Sequence, residues 1–355
     1  MLHGMRVPHG RRRLLSQDRT VRYACLLFFC VSWVSAQSSA VNRDQIVVVG
    51  SSTVFPFSEL VAEHFAKSGS FASPAVRTTS TGDGFRLFCA GAGPDTPDIN
   101  DASRQISPAE KALCAANGVR KITEVRIGYD SLIFARSRRT AAFAVTLRQL
   151  WLAAARTVPI NGSFVPNPYR SWHDIAATLP DEPIRLFGPA PGHGTRDAFV
   201  ELVMQPSCVA TSAGSNLTLV ERESACGTIR ADGRWIDVEN IELTLGKLAS
   251  HPEAVGVLTY SYLEQFSDRI HASTIDGVAP SRASISSGTY PISRPLYIYL
   301  KDAHLASITG LADYASEFLS FCAAGASGYL SDEGLVPMPT PELLHQRAAV
   351  ARLQR

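Results

Sequence analysis

Hydroxyl-bearing residues and glycines gather at three places in this chain where an apolar, β-branched run gives way to helical spacing. The first, Gly50-Ser51-Ser52-Thr53-Val54-Phe55-Pro56, follows the run at 46–49. Hydroxyls there donate hydrogen bonds, and the first amides of a following helix, which lack intrahelical acceptors, point the same way. At the second, Thr78-Thr79-Ser80-Thr81-Gly82-Asp83-Gly84-Phe85, the glycines allow backbone close to a ligand, and Thr81 offers a hydroxyl and a helix cap. Asp83 beside an anion needs a proton or a cation. The third is Gly188-Pro189-Ala190-Pro191-Gly192-His193-Gly194-Thr195-Arg196-Asp197-Ala198-Phe199, with a helix start around Thr195. Gly194 presents an amide, Thr195 a hydroxyl, and Arg196 a forked cation that matches a tetrahedral oxyanion. An arginine in a first helical turn opposes the helix dipole unless an anion or an acid answers it, and Asp197 is the alternative acid. Each junction taken singly also reads as a capped helix start with no ligand.

The elements that position these junctions follow from periodicity. The run at 46–49 reads as a strand, and Phe57, Leu60, Val61 and Phe65 recur at helical spacing after it. A second such unit has a strand at 184–187 and a helix carrying Ala198, Phe199, Leu202 and Val203. Further strands are expected at 127–135, 255–259 and 296–300, and a late helix carries Leu311, Tyr314, Ala315, Phe318 and Leu319. Alternating strands and helices imply an α/β fold with mostly parallel sheets. Two distant units in 355 residues imply two lobes, with ligand loops beyond the carboxyl ends of the strands. The stretch from 205 to about 238 has little periodicity and reads as a surface loop.

Ahead of all this, Arg11, Arg12, Arg13, Arg19 and Arg22 precede an apolar run at 23–34 that ends in Val34-Ser35-Ala36, the pattern of a secretory signal peptide cleaved after Ala36. The run is short against the roughly 20 residues of a membrane-spanning helix, so no stable membrane insertion is expected. Removing 1–36 takes away six Arg and one Asp, changing 34 basic against 32 acidic residues to 28 against 31. That balance excludes a basic nucleic-acid footprint and leaves anion attraction to a local site. An exported compartment permits disulfides. Nearest-neighbour pairing joins Cys89 to Cys114 and Cys208 to Cys226 and leaves Cys322 free, with buried thiols as the alternative. Zinc-type cysteine spacing is missing, and no cofactor is expected.

The strings GSSTVFPF, STGDGFRLFCAG, DINDASRQIS, IGYDSLIFA, LFGPAPGHGTRDAF, AVGVLTYSYL and YPISRPLYIYLK, in this order, resemble the PstS family, the periplasmic phosphate-binding proteins of ABC-type phosphate importers. The resemblance implies a type II periplasmic binding fold: two α/β lobes joined by a two-strand hinge, with dehydrated phosphate held in the cleft. Lobe I is then 37–130 with 290–355, lobe II is 131–289, and the crossovers fall near 126–136 and 285–294. It places the family's ligand loops on Ser52, Thr53 and Val54, on Thr81, Gly82, Asp83 and Gly84, and on His193, Gly194 and Thr195, with a loop histidine that makes no ligand contact as the alternative at His193; Arg196 is a contact on its chemistry alone. Arg104, in the 101–104 stretch, would pair with the anion.

Some family members carry an aspartate at the position of Arg104 that accepts the proton of monohydrogen phosphate and rejects sulfate. Here the acceptor must lie elsewhere. Asp83 and Asp130 are the candidates, an Arg104–Asp130 structural pair being the alternative. The implied partners are inorganic phosphate and a membrane permease, for a monomer in the periplasm. An exported oxyanion sensor or scavenger shares these features. A secreted phosphate-ester hydrolase would also use anion-binding junctions, but no His-x-x-x-His cluster, Gly-x-Ser-x-Gly elbow or defensible carboxylate pair accompanies them.

Overall fold

The computed structural model describes residues 43–354; the segment read as an export signal lies outside the described residues. Its main sheet joins β1 (Val47–Ser51), β2 (Ala75–Thr79), β3 (Ile99–Ala102), β4 (Ile122–Ser137), β7 (Leu186–Pro189), β8 (Trp235–Val238), β9 (Val255–Thr259), β10 (Ile270–Ala272) and β11 (Ser293–Lys301). A separate hairpin is formed by β5 (Thr157–Ile160) and β6 (Ser163–Pro166).

The strand order is β2-β1-β3-β11-β4-β9-β7-β8, with β10 paired to β4. β1 lies parallel between β2 and β3, and β7 lies parallel between β8 and β9. Between these two parallel trios run β4 and β11, antiparallel to each other and to their neighbours. The sheet is therefore mixed, where the alternation of elements predicts a mostly parallel one. The long β4 explains the difference: its first part pairs with β11 and its second part with β9 and β10, so it passes from one trio to the other.

Local sequence accounts for the elements near the loops. β1 is flanked on both sides, and Val48 and Val49 are buried, which is why the run is continuously apolar and not alternating. Helix α1 (Phe55–Lys67) opens with Pro56 in its first turn and buries Phe57, Val61 and Phe65. Helix α2 (Thr81–Phe88) is capped by the Ser80 hydroxyl, which accepts from the Asp83 amide. Ser80 thus takes the cap expected of Thr81, and the Thr81 hydroxyl turns to Ser103 instead.

The second unit departs further from expectation. Residues 205 to about 238 are not a loop: they form short helices at Gln205–Val209, Ser212–Ser215 and Leu219–Gly227, followed by β8. None is long enough to reveal a helical period, although Thr218 and Glu221 form a capping box. The second crossover strand begins at Ser293, since Arg282–Ser286 is a helix.

Disulfides join Cys89 to Cys114 and Cys208 to Cys226, and Cys322 is free and exposed. The first ties the end of α2 to helix α3 (Pro108–Ala116), so the element that follows the second loop is anchored.

Beneath the first loop, β3 buries Asp101. One carboxylate oxygen accepts from the Ser58 hydroxyl at 2.6 Å and the other has no protein partner. Burial pushes this carboxyl up from 3.8 to about 7. The folded protein therefore holds the proton more tightly than an unfolded chain does. Stability falls as pH rises from about 4 to about 7 and is level above that. Asp101→Asn removes this titration. Its thermal midpoint relative to the native chain is expected to climb between about pH 4.5 and pH 7.5, as read by circular dichroism; a pH-independent difference would remove Asp101 as the titrating group.

Candidate anion-binding site

All three loops leave carboxyl ends of parallel strands, the first from β1, the second from β2 and the third from β7. At the end of β1 the backbone of Gly50 has φ +133°, and a Cβ there would lie 2.2 Å from the Asp101 carbonyl oxygen. Only glycine lets this strand end press so closely on β3. The chain then turns sharply: the Val54 amide donates to the Ser51 carbonyl and the Thr53 amide to the Ser51 hydroxyl. Val54 is buried in the core. What the first loop presents outward is the hydroxyls of Ser52 and Thr53.

Those hydroxyls meet the third loop. Ser52 donates to the Asp197 carboxylate at 2.6 Å, and Thr53 to the Gly194 carbonyl at 3.4 Å. A Cβ on Gly194 would come within 2.8 Å of the Ser52 carbonyl oxygen and 2.9 Å of Thr53 Cα. Beside this contact lies a cavity of about 210 Å³, lined by Ser52, Thr53, Asp130, Gly194, Thr195 and residues of the β9 end, Thr259 and Tyr262. It is smaller than the roughly 300–1,000 Å³ typical of drug-sized ligands, a size suited to a small ion.

Thr81 sits in a neighbouring cavity of about 640 Å³ with Gly82, Ser103, Arg104, Glu201 and Arg294. Its hydroxyl lies 3.1 Å from that of Ser103 and accepts from the Ser103 amide. The side chain that links the two cavities is Arg294 on β11. It lines the second, donates through Nη2 to Thr53 Oγ1 at 2.9 Å, and reaches Asp130 Oδ2 at 3.4 Å in the first. Arg294 stands directly opposite Asp130 in the register of β11 and β4. It also pairs through Nη1 with Glu201. Burial raises the Asp130 carboxyl above the ordinary Asp value, with the Arg294 charge pulling the other way.

The structure thus brings Ser52, Thr53, Asp130, Gly194 and Thr195 together and places Thr81, Gly82 and Arg104 next door. Several of the expected contacts already have protein partners. Arg196 donates to Asp237 at 2.5 Å and to the Pro189 carbonyl at 2.9 Å and lies over the Trp235 ring, so β8 supplies the acid that answers it. Arg104 forks onto Glu110 at 2.8 and 2.9 Å, and Asp130 pairs with Arg294 and not with Arg104. Asp83 is exposed and faces Arg86 at 3.1 Å. His193 also lines the smaller cavity, half-exposed and 3.7 Å from Glu239. Arg294 was not among the expected contacts. Its sequence signal is weak, a charged residue between Ser293 and Pro295 just ahead of the apolar run at 296–300.

The model of the PBP superfamily domain matches residues 35–325. The chain belongs to the PBP superfamily. Similar members include the protein SphX of Synechocystis sp., 28% identical over 315 residues that span 86% of this chain and 82% of that protein. The phosphate-binding protein PstS of Staphylococcus saprophyticus is 24% identical over 308 residues, spanning 84% and 82%. Among solved structures, a possible phosphate binding protein from Planctomyces limnophilus DSM 3776 superposes with a TM-score of 0.70 at 26% identity, covering 88% of this chain and 99% of its own. PstS from Borrelia burgdorferi, at 15% identity and TM-score 0.58, matches in fold over 84% and 100%. The fold is the type II periplasmic binding fold of this superfamily.

In this PBP superfamily chain the approach of the first and third loops depends on Gly194 having no side chain. Gly194→Ala sets a methyl group against two backbone atoms that cannot step aside, a cost of about 1–3 kcal/mol. Hydrogen-exchange mass spectrometry is expected to show the first and third loops exchanging about tenfold faster in the variant; unchanged rates would mean the contact does not hold these loops.

Proposed function

We propose that this chain captures inorganic phosphate outside the cytoplasm and delivers it to the membrane permease of an ABC importer. The observation that carries the reading is the position of Arg294: a buried guanidinium with donors directed to the first loop and to the crossover aspartate, beside the cavity that holds Thr81. Relatives named as phosphate-binding proteins agree with it.

In this reading the hydroxyls of Ser52, Thr53, Thr81, Ser103 and Thr195, the Gly194 amide and the Arg294 guanidinium converge on one tetrahedral anion. Charge-assisted hydrogen bonds in a water-poor cleft are stronger than neutral ones. Gly82 gives the second loop its close approach, and Arg104 stands at the rim. Asp130 is the acceptor for a ligand proton: its carboxylate, paired with Arg294, offers an oxygen to the hydroxyl of monohydrogen phosphate, which sulfate lacks, and burial makes that carboxylate a stronger base.

The two lobes are 37–130 with 290–355, and 131–289, with β4 and β11 as the hinge. Closure follows from the greater number of donors that the anion finds when the first and third loops meet. The segment 1–36 serves as a signal peptide cleaved after Ala36, placing the mature chain in the periplasm. No helix of the described residues is long and apolar enough to cross a membrane.

Calorimetry with phosphate, arsenate, a phosphonate and sulfate tests the reading. Phosphate is expected to bind and sulfate to bind far more weakly; equal sulfate affinity would remove Asp130 as the acceptor. Thr81→Ala is expected to weaken phosphate binding by more than about 1 kcal/mol, as for a lost hydrogen bond to a buried charge. Arg294→Lys keeps the charge but loses the fork, and at least a tenfold loss, about 1.4 kcal/mol, is expected. Unchanged affinity in both variants would move the site elsewhere. Turnover of a chromogenic phosphate ester would instead make the chain a hydrolase.

A further inference from the structure

Two carboxylates share the Arg294 guanidinium, Asp130 and Glu201. Together they outweigh its single positive charge, an odd arrangement at the centre of an anion cleft. The three groups that Arg294 holds are not equally fixed. Asp130 is buried and lies opposite Arg294 in the strand pair. Thr53 is set in the tight turn after β1. Glu201, by contrast, has 49% of its side chain exposed, against 8% for Arg294. It is carried by a π-helical turn, Val200–Met204, that continues the helix starting at the third loop. Such wide turns occur mostly as single inserts and often at functional sites.

Arg294 Nη2 donates to Thr53 and Asp130 and Nη1 to Glu201, while Nε has no partner among the described residues, so an oxyanion that takes the Nη1 corner of the guanidinium has to displace Glu201. Glu201 is the one that can leave. A carboxylate and a phosphate present a guanidinium with the same kind of paired oxygens, so one substitutes for the other. A second cation lies in the same cavity too: Arg104, forked onto Glu110, is the charge towards which a released Glu201 is drawn.

We infer that Glu201 is an internal stand-in for the anion, a displaceable carboxylate that occupies Arg294 in the phosphate-free protein and sets the receptor's affinity by competing with the ligand. The inference rests on the phosphate-receptor reading and adds to it a residue that opposes binding. Glu201 keeps Arg294 paired until phosphate arrives, then swings towards Arg104 as phosphate takes its place.

Calorimetry on the whole mature chain, native and Glu201→Gln, titrated with inorganic phosphate, tests this, with Glu201→Ala as a second variant. Both variants are expected to bind phosphate about tenfold more tightly than the native chain, the scale of one removed competing contact. Their thermal midpoints are expected to be lower than native without phosphate and equal to native at saturation. Native binding with equal or weaker binding in both variants overturns the stand-in and leaves the receptor reading intact. Weaker binding in Glu201→Gln alone makes Glu201 a ligand contact and likewise overturns it. Phosphate binding to none of the three proteins removes the receptor reading and this inference with it. Tight binding in the variants with none detectable in the native chain supports the stand-in in its strongest form.

Discussion

A guanidinium as deeply buried as that of Arg294 must be answered, because charge taken out of water is costly unless it is paired and hydrogen-bonded. The answer here comes from three separate elements: Asp130 on the neighbouring crossover strand, Thr53 on the first loop and Glu201 beyond the third. Two of these links, to Thr53 and Glu201, fix relations that the sheet alone leaves open. The β4–β11 register puts Asp130 in reach, the turn after β1 delivers Thr53, and the helix after β7 delivers Glu201. Three elements distant in sequence thus meet at one cation.

The loops themselves illustrate how closeness is achieved. Gly50 and Gly194 are the places where backbone meets backbone, at β3 and at the first loop respectively. Hydroxyls then fill the remaining distance, Ser52 onto Asp197 and Thr81 onto Ser103. Asp101 lies just below, an acid whose proton is retained by burial, so that the floor of the cleft adds little negative charge below about pH 7.

Much of the scaffold could be read from local pattern. The strand at 255–259 coincides with β9, and the late helix with Leu311–Phe318, because an apolar face at a fixed period is a property of neighbouring residues. Thr53, Thr81 and Thr195 were singled out by the same logic, hydroxyls at strand ends. What the chain could not reveal was pairing over distance. Arg196 looks like an anion ligand until Asp237, 41 residues on, is seen to hold it. Arg104 looks the same until Glu110 is found at its fork. Arg294 drew no notice because its meaning lies in Glu201, 93 residues away, and in a strand register. The helices between 205 and 227 escaped for a different reason: each is too short for a period, and only the Thr218–Glu221 box marks a start.

The arrangement of strands also bears on how the molecule is made. β7, β8 and β9 are contiguous in the chain and complete one parallel trio within a single stretch, whereas β3 has to wait for β11, which emerges nearly two hundred residues later. Contacts close in sequence form sooner than distant ones, since less chain entropy is lost in closing them. During synthesis the central segment can therefore settle first. The half that carries the first two loops is finished only when the C-terminal strand docks, so truncation from the C-terminus strikes the N-terminal loops before it strikes the middle of the chain.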